Sequence, residues 1–163
     1  MKLNIGCGKN ICNDFINLDK VPFNDSVVQY DLEDFPYPFP DNHFDEIRAW
    51  HILEHLSDLQ QAMDELHRVC KPNAVLDIRV PYFSSQGAFN NPEHKRFFTW
   101  RTFEYFPKFK IEKRRLHFRS IPKGKTPIVD DLINLKPMLY QRLFCWIFPI
   151  AELEVKLIAI KKQ

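Results

Sequence analysis

The chain has 163 residues, 45% of them apolar and 27% charged, with a formal net charge of only +2. That length and balance suit one soluble domain with a buried core and exclude a chain too polar to collapse. No uninterrupted apolar run reaches the ~18 residues of a membrane-spanning helix, and an apolar strand beginning at residue 3 leaves no room for a leader, so a cytoplasmic location is expected.

The strand and helix signals run in a clear order. Leu3 to Ile5 ends in Gly6-Cys7-Gly8, a buried strand entering a turn where the backbone lies bare. Strands are predicted near 2–5, 15–18 and 27–30. Proline at every second position from Pro36 to Pro40 makes a rigid loop there. A strand follows over Phe44 to Ala49. Helical spacing of Leu59, Ala62, Met63, Leu66, Val69 and Cys70 predicts a helix over 58–70, capped by Ser57 or Asp58 and ended by Lys71-Pro72. Ala74 to Val80 is the next strand. Beyond it come a loop over 83–96, a short helix over 99–106 capped by Thr99, and a charged strand over 110–118. Helix is predicted over parts of 128–147, with Pro137 as a kink or fresh start. Alternation in Glu152 to Ile160 suggests a last strand with one wet face, as on an antiparallel edge hairpin. Strands alternating with helices or loops indicate a parallel α/β sheet.

The turn after the first strand points to a nucleoside-type cofactor. Asp19 closes the second strand, where such folds hold a ribose by its hydroxyls. The dinucleotide fingerprint fails, because position 11 is Ile and only 11 residues separate Gly8 from Asp19. A full crossover helix hardly fits in that span.

At this point the chain resembles the class I S-adenosylmethionine-dependent methyltransferases, and more narrowly the small type 11 group. The matching stretches are Leu3-Asn4-Ile5-Gly6-Cys7-Gly8, Ile16-Asn17-Leu18-Asp19, Tyr30-Asp31-Leu32, Phe39-Pro40-Asp41-Asn42-His43-Phe44-Asp45, His51-Ile52-Leu53-Glu54-His55-Leu56, and Leu66-His67-Arg68-Val69-Cys70-Lys71-Pro72-Asn73. The resemblance implies a Rossmann-like α/β fold with a mostly parallel seven-stranded sheet and an antiparallel C-terminal strand. It implies one domain over 1–163, with a cofactor-binding half (1–82) and an acceptor-site and C-terminal half (83–163). The implied cofactor is S-adenosyl-L-methionine, held by Asn4, Gly6, Cys7, Gly8, Asp19, Asp31 and Leu32. In that reading Asp19 accepts from the ribose diol, Asp31 from the adenine amino group, and Leu32 packs beside the ring. Capping of turns is the competing role for Asp19 and Asp31.

His51, Glu54 and His55 share one face of a helical turn after the fourth strand. Three readings compete. One is a base or acceptor-orienting role, with His51 first. A second is a metal site of His51, Glu54, His55 and His94, since some relatives carry a metal-binding Glu-x-x-Glu-His, here with His51 in place of the first Glu. The third is structural pairing. Lys95 and Arg96 are candidates to grip a phosphate or carboxylate on the acceptor.

Charge is divided unevenly: residues 1–80 carry a net −7 and residues 81–163 a net +9. An acceptor with anionic character is therefore expected in the basic half. Residues 94–119 mix nine Lys/Arg with eight aromatics, as single-strand nucleic acid binders do, although a buried helix face explains the aromatics as well. The apolar 132–150 segment is expected to pack in the core, cover the site, lie on a membrane face or form a homodimer. Cys7, Cys12, Cys70 and Cys145 form no CxxC pair and are read as free thiols. The expected activity is methyl transfer to an O or N atom of a small-molecule, glycan or lipid-linked acceptor. The alternatives are a cofactor-binding or scaffold protein without chemistry, and an RNA methyltransferase.

Overall fold

A computed structural model describes residues 1–120 and 127–161. Seven strands form one sheet: β1 (Lys2–Ile5), β2 (Ile16–Asp19), β3 (Val27–Gln29), β4 (Phe44–Trp50), β5 (Cys70–Pro81), β6 (Phe109–His117) and β7 (Glu152–Ala159). Their order is β3-β2-β1-β4-β5-β7-β6. Strands β1 to β5 pair in parallel, and β7 runs antiparallel to both β5 and β6. Strands from both halves of the chain thus share one sheet. The expected fold class holds, with one correction: β7 is interior and β6 is the edge strand.

Helix α1 (Leu59–Val69) buries Leu59, Ala62, Met63, Leu66 and Val69. The Asp58 carboxylate accepts from the Gln61 amide at 2.9 Å, meeting one of the orphan donors of the first turn. Cys70 is already extended and opens β5, so that strand starts four residues before the expected Ala74. The 83–96 stretch holds one short helix, α2 (Gln86–Asn90), whose amides are capped by Ser85. Its single turn contains Gly and no apolar period, so periodicity does not reveal it. The predicted 99–106 helix is one 3₁₀ turn, Thr102–Tyr105. Pro137 makes a fresh start, separating α3 (Pro127–Leu135) from α4 (Pro137–Leu143).

The sheet is covered unequally. The links β1–β2, β2–β3 and β3–β4 carry no helix. One face carries Leu3, Ile47, Leu76 and Leu157 in register, then Ile5, Ala49, Ile78 and Val155. All of these are buried, in one core with α1, Tyr37, Phe98, Phe103 and Phe106. The opposite face reads Asn17, Asn4, Arg48, Asp77, Lys156 and Lys113 across six strands. A second polar row holds Trp50, Arg79, Glu154 and Arg115. Both guanidiniums lie on Trp50, Arg79 at 3.6 Å and Arg48 at 4.1 Å from the ring centre. Parallel sheets are normally buried on both faces and apolar throughout. Here the strands alternate instead, because short turns stand where helices would cover them.

At the far edge His117 joins three elements. Its Nε2 meets Glu154 at 2.9 Å and its Nδ1 meets Asp130 of α3 at 3.1 Å. The His117 bond holds the Glu154 carboxyl down near about 2, against burial, with Lys113 helping. A carboxylate depressed on folding stabilises fully above its unfolded value near 4.5, and that stabilisation is lost as pH falls toward 2. Glu154→Gln should therefore flatten the acid limb of stability between pH 5 and 2 by about 2–3 kcal/mol. Urea unfolding at several pH values reads this, and an unchanged limb would refute it.

Candidate active site

The glycine turn is built as the sequence suggests. Gly6 and Gly8 both adopt positive φ, 59° and 50°. A Cβ on Gly6 would lie 2.4 Å from the Ile52 side chain, so only glycine fits beneath that residue. The Asp19 carboxylate accepts from the Gly8 amide at 2.7 Å and from the Val21 amide at 2.9 Å. The carboxylate thereby ties the turn after β1 to the tip of β2.

Two cavities open at this end of the sheet. The first, about 660 Å³, is lined by Gly6, Asp19, Asp31, Leu32, Ile52 and Lys95, among others. The second, about 820 Å³, is lined by Glu54, His94, Gln86, Asn91, Arg119 and Glu152, among others. His51 and His55 line both and are where the two meet. Asp31 is held by the Glu33 amide at 3.0 Å and by Lys20 at 2.7 Å. The Lys20 bond, before the Glu33 amide, holds the Asp31 carboxyl below the usual range. The Lys20 side chain is 71% exposed, so water or a ligand can replace that contact at little cost.

Four of the seven expected cofactor residues, Gly6, Asp19, Asp31 and Leu32, line the first cavity. Asn4, Cys7 and Gly8 do not. Asn4 is buried on the polar face and donates to Asn17 and to the Asn10 carbonyl, both at 2.9 Å. Cys7 is buried, and its amide donates to Leu18. The Gly8 amide is spent on Asp19. Lys95 and Arg96, expected at the acceptor, do not line the second cavity either. Lys95 bonds Glu33 at 2.9 Å and Ser57 at 2.6 Å on the cofactor side. Arg96 donates to the Leu56 carbonyl at 2.9 Å and to that of Ser57. Both residues clasp the loop after β4. Arg119, Gln86, Asn91 and Glu152 are the additions that sequence reasoning missed.

His51 is not set up as a base. Its Nε2 lies 2.9 Å from Glu152 and its Nδ1 3.5 Å from Glu54. Burial alone would lower its pKa, but the two carboxylates win and raise it to about 9. At neutral pH the ring is therefore a cation between two buried acids. Glu54, which faces His51, also comes together with His55 and His94.

The basic aromatic stretch is mostly structural. Phe98, Phe103, Phe106 and Phe109 are buried in the core, and Arg101 and Arg114 pair with Glu104. In the 132–150 segment Tyr140, Cys145 and Ile150 are buried, while Leu132, Leu135, Trp146 and Ile147 are each more than 60% exposed. A groove of about 440 Å³ between α3 and α4 is lined by Val129, Leu132, Ile133, Leu139 and Phe148, and it shares Phe118 with the second cavity. Among the described residues no helix is long and apolar enough to cross a membrane.

Residues 7–78 match the family described as Methyltransferase domain. Over 80 residues the chain is 35% identical to a 2-phytyl-1,4-naphtoquinone methyltransferase of Nostoc sp., an alignment covering 47% of this chain and 31% of that one. The chain thus matches about a third of the length of that relative. An S-adenosylmethionine-dependent methyltransferase from Archaeoglobus fulgidus superposes with a TM-score of 0.61 at 19% identity, covering 96% of this chain and 85% of that one. One from Mesorhizobium loti gives 0.63 at 13% identity, covering 96% and 89%. The chain thus has the fold of these S-adenosylmethionine-dependent methyltransferases, and its residues 7–78 are similar to the Methyltransferase domain family.

Proposed function

We propose that the chain moves a methyl group from S-adenosylmethionine to an oxygen or nitrogen of an acceptor seated in the second cavity. The observation that carries this reading is the meeting of the two cavities at His51 and His55. A cofactor in the first cavity with its ribose on Asp19 would present its methyl group there. The residues suit that cofactor. Asp19 offers only acceptors to a diol, Leu32 offers an apolar wall, and Lys20 can yield Asp31 to an amino group. Methyl transfer from a sulfonium is an in-line displacement, so alignment of the acceptor with the C–S bond supplies much of the rate.

The second cavity favours an acceptor with anionic character. Arg119 and the His51 cation both line it. Its link through Phe118 to the apolar groove favours a lipid-linked acceptor over a glycan or a wholly polar metabolite. Burial of Phe98, Phe103, Phe106 and Phe109, half of the aromatics in 94–119, takes support away from RNA. The exposed side chains Leu135, Trp146 and Ile147 offer a surface for a second copy of the chain.

Calorimetric titration tests the cofactor. S-adenosylmethionine and S-adenosylhomocysteine should bind in the micromolar range, about −8 kcal/mol, and NAD should not. Asp19→Asn keeps an acceptor for the Gly8 amide but loses the charge, so affinity should fall about 10- to 100-fold. No binding of either ligand would sink the reading. The competing reading is a cofactor-binding module without chemistry, favoured by the absence of a helix between β1 and β2. Glu54 and His94 lie outside the first cavity. Replacing both should abolish turnover and spare cofactor affinity in an enzyme. A module would show no turnover before or after.

A further inference from the structure

The Glu54 side chain is 1% exposed, and neither of its carboxylate oxygens makes a hydrogen bond. One oxygen lies 3.5 Å from His51, an ion-pair distance, and the other has no hydrogen-bond partner. Burying a carboxylate without hydrogen bonds is costly, and folds retain one only where something compensates. Two imidazoles stand beside it. One ligand atom from each of Glu54, His55 and His94 lies within 4.8 Å of the other two.

The surroundings hold these groups in place. The Lys95 amide donates to the Glu54 carbonyl at 2.8 Å, which ties the segment carrying His94 to the turn carrying Glu54 and His55. The His94 Nδ1 lies 3.0 Å from the Ala88 carbonyl of α2. A carbonyl only accepts, so Nδ1 carries the hydrogen and Nε2 of the neutral ring keeps a bare lone pair. A backbone carbonyl on the remote nitrogen of an imidazole is the arrangement that orients metal-ligating histidines. The His55 and His94 rings meet edge to face, with centres 4.8 Å apart. No hydrogen bond to another group occupies the His55 ring among the described contacts.

We propose that Glu54, His55 and His94 form a binding site for a divalent first-row transition ion at the floor of the acceptor cavity. Two imidazoles and one carboxylate suit zinc, cobalt, iron or manganese, whereas magnesium and calcium prefer oxygen ligands. All three side chains line the 820 Å³ cavity, so an ion held by them would, resting on the proposed reading of that cavity, be within reach of an acceptor oxygen. His51 is excluded from the ligand set although it shares their helical face, because Glu152 holds its Nε2. The site needs only a small closure, since donors on one ion at bonds of about 2.1 Å lie no more than about 4.2 Å apart.

The test uses the full chain stripped with chelator and titrated separately with zinc, cobalt and magnesium chlorides. The expected result is one zinc or cobalt per chain at submicromolar affinity, with magnesium at least 100-fold weaker. His94→Ala and Glu54→Gln should each weaken zinc at least 10-fold, while His67→Ala on α1 should leave it unchanged. X-ray absorption of the cobalt-loaded native chain should count two imidazole nitrogens, which guards against variants that fail to fold. Loss of zinc binding in His67→Ala but not in His94→Ala overturns the proposal. So does a native chain that binds no ion, or that binds magnesium as well as zinc.

Discussion

Alanine at Gly6 should lower the thermal midpoint by about 4–20 °C, and at the same conversion alanine at Gly8 by about 2–8 °C, the smaller of the two. Both positions hold positive φ, so both substitutions carry left-handed strain of ~1–2 kcal/mol. Only Gly6 adds a collision. Its Cβ would meet Ile52 at 2.4 to 2.6 Å, at Cβ as well as at the outer carbons, whereas nothing lies within 4 Å of a Cβ on Gly8. Rotating the Ile52 side chain leaves its Cβ in place, so the backbone after β4 must move. Overpacking of this kind costs ~1–3 kcal/mol more, and each kcal/mol moves the midpoint ~2–4 °C in a chain of this size. Calorimetric scans of the two variants compare them directly. Equal losses would show that Ile52 does not press on the turn.

Replacing Arg68 should cost about 3 kcal/mol as methionine and about 2 kcal/mol as lysine. Near the end of α1, its guanidinium uses all five N–H groups. Two go to Glu65 on the same helix and one to Asp41. The remaining two go to the Phe39 and Tyr37 carbonyls, at 2.9 and 3.0 Å. Glu65 in turn accepts from the Tyr37 amide at 2.8 Å. This fork fastens the proline-rich loop to α1, a role for which the prolines supply stiffness but no amide donors. Lysine has three donors on one atom and cannot span the set. Urea unfolding measures the loss, and limited proteolysis over 35–41 shows whether the loop is released. A lysine variant within about 0.5 kcal/mol of the native chain would falsify the fork's role.

Much of this architecture is legible from the chain, for physical reasons that differ by element. The strands declare themselves through short apolar runs closed by Gly, Asp or Pro. Helix α1 declares itself through apolar spacing and its Asp58 cap. The spacing between Gly8 and Asp19 shows that no crossover helix fits, and none is there. Reading breaks down where a residue's partner lies far along the chain. Nothing near His51 announces Glu152, 101 positions away, yet that carboxylate joins Glu54 in raising the pKa of the ring. Lys95 and Arg96 look like ligands for an anion because their partners, Glu33 and the carbonyls of Leu56 and Ser57, are invisible in local sequence. Asn4 lies outside the first cavity for a different reason. It sits beside the glycine turn, but its strand position turns it to the opposite face, toward Asn17. The polar partners at alternate positions, Asn4, Asn17, Arg48, Asp77 and Arg79, were the available signal.

That alternation gives a parallel sheet something it usually lacks. Where both faces are buried and every position is Val, Ile or Leu, sliding a strand by one residue exchanges one apolar side chain for another. Here a slide of β4 by one residue would drive Arg48 and Glu46 into the core that holds Leu66 and Met63, and turn Ile47 and Ala49 onto the polar face. Such a shift inverts every side chain of the strand at once. Misalignment during folding is thus penalised along the whole length of β4 and β5, without help from the missing helices. The polar face works as an alignment code, and it lets a short chain assemble a non-local sheet with one correct pairing.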